Sequence, residues 1–279
     1  MSPERSEYHI KVITNTESPV DLLATETNLS RQKIKQAMQK GAVWVTDNKG
    51  THRIRRHSKK LQPSSTLHFY YDLNILDAKS DAATLVCDEG EYSVWYKPRG
   101  MLSQGSRWGD HCAISRWVEM NFEPQRPAFT VHRLDRYASG LILIAHKKKT
   151  AQILADLFQK KEINKEYKVM VHGCFGNSTV TYHSEIDNKP AISHVTLLQY
   201  NEEKNISLLQ VKIDTGRKHQ IRLHLSEAGF PVIGDKQYGN KEDVSDLQLT
   251  AFKLSFISPI DGNEKSYVLQ DELQPHLKN

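Results

Sequence analysis

Residues Val131-His132-Arg133-Leu134-Asp135-Arg136-Tyr137-Ala138-Ser139-Gly140-Leu141-Ile142-Leu143-Ile144-Ala145 join a polar loop to a continuous apolar run. The run Leu141–Ala145 is far shorter than the roughly 18 residues of a membrane span. Its length and its glycine and serine flank suit a strand buried on both faces. The polar half carries one carboxylate, Asp135, between Arg133 and Arg136. A nearby opposite charge keeps a carboxylate ionised even when it is partly desolvated. An ionised, desolvated carboxylate is a nucleophile or a general base. On the local pattern alone, a structural Arg–Asp pair fits these residues as well.

On the C-terminal side, Lys147 to Lys160 reads as an amphipathic helix with Ala151, Leu154, Ala155 and Phe158 on one face. Tyr167 to Val171 reads as a strand, and strand-like runs follow at 179–186, 192–200 and 206–213. Arg217 to Ala228 is expected as a helix ended by Gly229, then strands around 249–257 and 265–269. On the N-terminal side, Leu85-Val86 and Tyr92 to Tyr96 look like strands around a Glu89-Gly90 turn, and Ala113 to Met120 like a helix. Strands outnumber helices and rarely alternate with them. The fold class is therefore α+β with a largely antiparallel mixed sheet.

Residues 72–83 are polar and aperiodic, and they divide the chain into domains 1–75 and 76–279. The first is a small α/β unit. Pro19 to Thr27 reads as a short helix. Ser30 is a good N-cap for a second helix that places Ile34, Ala37 and Met38 together, and Gly41 ends it. Strands are expected at Ala42–Val45 and Thr66–Tyr70.

Formal net charge is +5, but it is unevenly spread. Arg31, Lys33, Lys35, Lys40, Lys49, Arg53, Arg55, Arg56, Lys59 and Lys60 face a single acid, Asp47, so this window carries +9 and the rest of the chain −4. Such asymmetry points to a polyanionic partner, nucleic acid or an anionic membrane surface; a solvated basic face is the alternative. The candidate RNA-binding residues are Arg31, Lys33, Lys35, Arg53, Arg55, Arg56, Lys59 and Lys60. Lys147-Lys148-Lys149 is either a solvated face or a further contact.

Cys87, Cys112 and Cys174 are odd in number, widely spaced and without a CxxC pair, which argues against a disulfide framework or structural zinc and fits a reducing cytoplasm. The polar start Met1–Glu7 reads as no signal peptide. The sequons at Asn28, Asn177 and Asn205 carry no meaning in that compartment. No HExxH, GxSxG, GxGxxG or Walker loop occurs, and the SxxK at Ser30–Lys33 lies in the basic helix, so hydrolase and nucleotide-binding classes lack support.

Two more segments carry chemistry. In Thr215-Gly216-Arg217-Lys218-His219-Gln220-Ile221-Arg222-Leu223-His224-Leu225, Arg217, Gln220 and Arg222 crowd one turn, a setting suited to an acid or a phosphate. In Asn164-Lys165-Glu166-Tyr167-Lys168, an aromatic hydroxyl opens a strand; a plain edge tyrosine is the alternative.

HRLDRYASGL, KEY and GRKHQIRLH, in this order, resemble the RluA family of pseudouridine synthases. Tyr96-Lys97-Pro98-Arg99-Gly100-Met101 upstream and Gly229–Gly239 (GFPVIGDKQYG) downstream add to the resemblance, which spans roughly residues 85–270. "LSRQKIKQAMQKGAVWV" and "RIRRHSKKLQPSSTLHFYY" resemble the alpha-L RNA-binding domain, with a longer turn at Thr51 and His52.

The resemblance implies a pseudouridine synthase catalytic domain behind an RNA-docking module. It implies Asp135 as the catalytic carboxylate, Tyr167 as the tyrosine packed on uracil and a candidate proton acceptor, and Arg222 as the partner of the aspartate. Arg133 is the arginine that enters the RNA where the target leaves its stack. Ile221 lines the base pocket, and His132 and Gln220 are further substrate-binding candidates. Tyr137, Ala138 and Lys218 depart from the family pattern without removing a catalytic group. The implied substrate is RNA, large-subunit ribosomal RNA first and transfer RNA second. The chemistry needs no cofactor and no metal, and a cytoplasmic monomer without an obligate protein partner is expected. A non-catalytic RNA-binding or assembly factor is the rival, though a pure binder has no need of Asp135, Tyr167 and Arg222 together.

Overall fold

Two serines open the helices of the N-terminal region. Ser18 accepts from the Asp21 amide at 3.1 Å and Ser30 from the Lys33 amide at 3.3 Å, each satisfying a free N–H of a first turn. In the computed structural model, which describes residues 5–13, 18–176 and 178–277, they precede α1 (Pro19–Thr27) and α2 (Arg31–Gln39). Met1–Glu4 and Asn177, read above, lie outside the described residues.

The chain divides into two units, residues 1–79 with 104–117, and residues 80–103 with 118–279. In the first, β1 (Arg5–Lys11), β2 (Val43–Asp47), β3 (Gly50–Arg53) and β4 (Thr66–Asp72) form an antiparallel sheet in the order β1-β4-β2-β3. The short α3 (Leu73–Leu76) follows, capped by Asp72. Leu23, Ile34, Met38, Val43, Leu67 and Phe69 form the core of this unit. β1 is absent from the sequence reading because it offers only Tyr8 and Ile10 as apolar residues; its register against β4, from Arg5 opposite Asp72 to Lys11 opposite Thr66, fixes it.

Segment 104–117 follows the first expected domain in sequence but belongs to its structural unit. The cause is Asp110, whose carboxylate accepts from both Arg53 and Arg55 and whose amide donates to Lys40 O at 3.0 Å. Arg53 also donates to Ser106 O at 2.6 Å, and Trp44 to Arg107 O at 3.0 Å.

The second unit is built on ten strands: β5 (Thr84–Asp88), β6 (Tyr92–Lys97), β7 (Phe129–Thr130), β8 (Ser139–Ala145), β9 (Asn164–His172), β10 (Val180–Ile186), β11 (Lys189–Asn201), β12 (Ile206–Ile213), β13 (Leu249–Ile257) and β14 (Glu264–Val268). The main path runs β10-β11-β12-β9-β13-β8-β6-β5, with β14 on β13 and β7 on β8. All pairings are antiparallel except β8 with β13, so the sheet is mixed and largely antiparallel. α5 (Lys148–Gln159) and α6 (Gln220–Glu227) lie between its strands, and α4 (Ile114–Asn121) runs across the boundary at residues 117 and 118. All seven residues of β8 are buried, as its apolar run requires. The β8–β13 contact depends on Gly140, where a Cβ would stand 2.3 Å from Ala251 O at φ 123°. No helix among the described residues is long and apolar enough to cross a membrane.

α6 corrects one expectation. It begins at Gln220, not Arg217, because His219 adopts a left-handed φ of 57°. The Gln220 side chain turns back to accept from the Arg217 amide at 3.1 Å and from Thr215 Oγ1 at 2.7 Å.

Candidate active site

Asp135 lies on the loop between β7 and β8, and that loop is pinned on both sides of it. Ser103 Oγ accepts from the Leu134 amide at 2.9 Å and donates to Leu134 O at 2.7 Å. On the other side, the fully buried Lys97 donates to Arg136 O at 3.3 Å and Ala138 O at 2.7 Å, as well as to Pro98 O and Met101 O. Burial pushes the Lys97 ammonium down to about 7, against the pull of Asp135. The Asp135 side chain itself is 18% exposed, so it is held at a surface it can reach.

A guanidinium and an imidazole face it. Arg222 Nη1 stands 3.7 Å from one carboxylate oxygen and His219 Nε2 3.9 Å from the other. Arg222 makes its closer contact elsewhere. Its Nε and Nη2 donate to the two oxygens of Asp235 at 2.6 and 2.7 Å, a bidentate fork of high directional strength. Asp235 also accepts from the Gln237 and Tyr238 amides. Burial opposes both charges, but the fork prevails, raising the Arg222 pKa and lowering that of Asp235. Burial pushes His219 down while Asp135 pulls the other way; its Nδ1 lies 2.9 Å from the Tyr238 hydroxyl.

Asp135, Arg222, Tyr167, Ile221, Arg133, His132 and Gln220 all line one cleft of about 740 Å³. Within it they differ in what they can do. Tyr167 is buried on β9, and both burial and the Asp135 charge raise its phenol above the ordinary value. It therefore stays neutral before it meets substrate, and it lines the cleft. Arg133 is exposed and Ile221 buried. Gln220 has no polar capacity left for a ligand. Its oxygen takes Thr215 Oγ1 and the Arg217 amide, and its nitrogen donates to Ile192 O and Ser193 Oγ, each at 2.9 Å. These bonds shape the loop before α6. His132 accepts from the Leu143 amide at 2.9 Å and stacks on Phe158; burial, with Lys165 nearby, drives its pKa well down, so it is neutral.

The basic residues of the first unit also divide. Arg53 and Arg55 are paired with Asp110, with Arg53 over the Trp44 ring at 4.2 Å, so they join segment 104–117 to the sheet. Arg31 pairs with Asp21 at 2.8 Å, and Lys59 lies 2.8 Å from His52 Nε2. Lys33, Lys35, Arg56 and Lys60 are exposed.

Sequence reasoning quoted Lys97, His219 and Asp235 within motifs but gave them no role. The Gly234-Asp235 pair held a signal: a Cβ at Gly234 would meet Asp246 O at 2.3 Å, so a glycine there lets the chain turn Asp235 towards Arg222.

The profile of the RNA pseudouridylate synthase family matches residues 91–227, a range that contains Asp135, Tyr167 and Arg222. The chain is 26% identical over 278 residues to an RNA pseudouridine synthase of Aquifex aeolicus, covering 88% of this chain and 86% of that one. It is 31% identical over 208 residues to the ribosomal large subunit pseudouridine synthase D of Borreliella burgdorferi, covering 66% and 62%. The chain belongs to the RNA pseudouridylate synthase family. The fold agrees: human RNA pseudouridylate synthase domain containing 1 superposes with a TM-score of 0.59 at 22% identity, over 70% of this chain and 86% of that one. As an RNA pseudouridine synthase the protein is an isomerase. It converts a uridine joined to ribose through N1 into one joined through C5, with no net oxidation or reduction.

Proposed function

We propose that Asp135 drives this isomerisation on specific uridines of large-subunit ribosomal RNA. One observation carries the reading: in the cleft that Tyr167 and Ile221 also line, the Asp135 carboxylate faces Arg222 and His219 at 3.7 and 3.9 Å. Breaking the N1–C1′ bond leaves its electrons on uracil and positive charge on the sugar. An ionised carboxylate can stabilise that charge, attack C1′, or take the 2′ proton to give a glycal. All three routes require an ionised Asp135, and the Arg222 guanidinium stands 3.7 Å from it. The uracil then turns, C5 bonds to C1′, the C5 proton leaves and N1 gains one. Tyr167 stacks on the base and limits its escape. The target must first leave its stack, at a cost of a few kcal/mol, and Arg133 at the mouth fills the vacancy.

The first unit docks the RNA. Lys33, Lys35, Arg56 and Lys60 support this as exposed cations able to meet phosphates, which position a nucleic acid and read little sequence. The ribosomal target is supported by the name of the Borreliella relative.

The test is a pseudouridine map of total RNA from cells with wild-type protein, with Asp135→Asn, and with the gene deleted. A ribosomal site present only with wild type is expected. A site that survives Asp135→Asn but not deletion overturns the role of Asp135. A dependent site in transfer RNA overturns the ribosomal target. No dependent site at all favours an assembly factor.

A further inference from the structure

Lys165 is the second residue of β9 and stands two before Tyr167, so both side chains fall on one face of the strand, and both line the cleft. Among the described residues its ammonium has no hydrogen-bond or ion-pair partner; its one specific contact is with the Phe158 ring, 5.4 Å from Nζ to centroid. Burial alone lowers it, to about 8, and no carboxylate offsets the cost. It therefore remains a cation at neutral pH without a counter-charge. His132, stacked on the same ring at 4.3 Å, adds another unmet donor. Its Nε2 accepts from Leu143, so Nδ1 carries the proton, and that atom is buried without a partner. Gly216 keeps the space beside Nζ open, since a Cβ there would lie 3.2 Å away. Arg133, Lys161, Arg217 and Lys218 line the same cleft.

An ammonium that lines a cleft without a protein partner, beside an unmet donor and among four further cationic side chains, is the complement of an anion. Among the described residues the fold supplies no such anion, so the ligand brings it. In a cleft for a nucleotide of RNA, that anion is the phosphodiester backbone.

We propose that Lys165 is a phosphate-docking residue of the cleft, receiving a backbone phosphate oxygen adjacent to the flipped uridine and so setting how deep the base enters over Tyr167. The inference rests on the cleft being the uridine site, but not on the identity of the RNA or on the role of Asp135.

The test uses the full chain and three small probes: uridine, uridine 5′-monophosphate and uridine 3′-monophosphate, with dissociation constants from NMR titration. Wild type should bind one monophosphate at least about fivefold more tightly than uridine, and which one identifies the side of the docked phosphate. Lys165→Gln should reduce that preference to under about twofold while uridine affinity stays within about twofold. Lys165→Arg should keep most of the preference, and so should Lys161→Gln, which removes an exposed cation from the same cleft. Thermal unfolding checks the fold of each variant; if Lys165→Gln fails to fold, Lys165→Met, which suits a desolvated site, replaces it. The proposal is overturned if wild type shows no phosphate preference, if the preference survives Lys165→Gln, or if uridine and nucleotide affinities fall together. An RNA map without an Asp135-dependent site would overturn the catalytic reading and leave this titration unaffected.

Discussion

Arg222 grips Asp235 with two hydrogen bonds of 2.6 and 2.7 Å and points its remaining nitrogen at Asp135 from 3.7 Å. The closer carboxylate is thus not the one proposed to react. Asp235 holds the guanidinium plane, and the plane then presents a fixed positive charge to Asp135. A direct fork to Asp135 would occupy both of its oxygens and leave none for the ribose. The longer contact leaves both Asp135 oxygens available.

Asp235→Asn should therefore damage both stability and turnover. Asp235 is 1% exposed, and the variant leaves Arg222 buried with only the distant Asp135 as counter-charge. Removing one partner of such a pair costs about 3–5 kcal/mol. We expect a clear drop in the unfolding midpoint. At a temperature where the variant is folded, kcat should fall at least about tenfold with KM little changed. Denaturant unfolding and single-turnover kinetics check the two halves separately.

The first unit offers a contrast between arginines close in sequence. Arg56→Glu, at an exposed position, should weaken RNA binding and reduce its salt dependence, since a phosphate contact is lost, with stability unchanged. Asp110→Ala should do the opposite. It strands Arg53 and Arg55, which are only 18% and 25% exposed, and frees the tie to segment 104–117. Limited proteolysis within 104–117 should accelerate, while the charge available to RNA increases. Filter binding and a protease time course distinguish the two variants.

What was legible in the sequence was local. The apolar run Leu141–Ala145, the helical face at Leu154 and the Ser30 cap each depend on neighbours within a turn or a strand, and the structure has them where the local pattern puts them. Asp135, Tyr167 and Arg222 were legible as motif residues, and the fold gathers them into one cleft. What escaped depends on long-range partners. Asp110 meets Arg53 across 57 positions, and Lys97 reaches Ala138 across 41. Nothing near Asp110 in sequence marks it as the acid that neutralises two residues of the basic window. The start of α6 was misplaced for a related reason: helix propensity favours Arg217–His219, but the Gln220 amide finds partners on β11 and turns the chain first.

Gly140→Ala tests the closeness of β8 and β13. The added methyl would meet Ala251 O at 2.3 Å and Ala251 N at 2.5 Å, both backbone atoms that cannot swing aside. The φ of 123° is also strained for any L side chain. The strands must part, and the Asp135 loop that feeds β8 moves with them. We expect a loss of several kcal/mol in unfolding free energy, near the upper end for single substitutions, or failure to accumulate as folded protein. Urea titration of purified protein checks the first outcome and soluble yield the second.

Lys97 should give stability a distinctive pH dependence. In the folded protein burial holds its ammonium near 7, whereas in the unfolded chain it returns to about 10.5. Below pH 7 both states bind the proton, and this residue adds no slope. Between about 7 and 10.5 the unfolded chain binds a proton that the folded chain lacks, so the contribution to stability rises with pH, by up to about 1.4 kcal/mol per unit. The rise ends once the unfolded lysine also titrates. Other groups change over the same range, so the readout is a difference. Lys97→Met removes the titrating group and leaves four carbonyls without their donor, so it should be less stable at every pH. Its deficit against wild type should widen from pH 7 to pH 9. Parallel stability curves for the two proteins over that interval would mean that the carbonyl cage holds Lys97 fully charged.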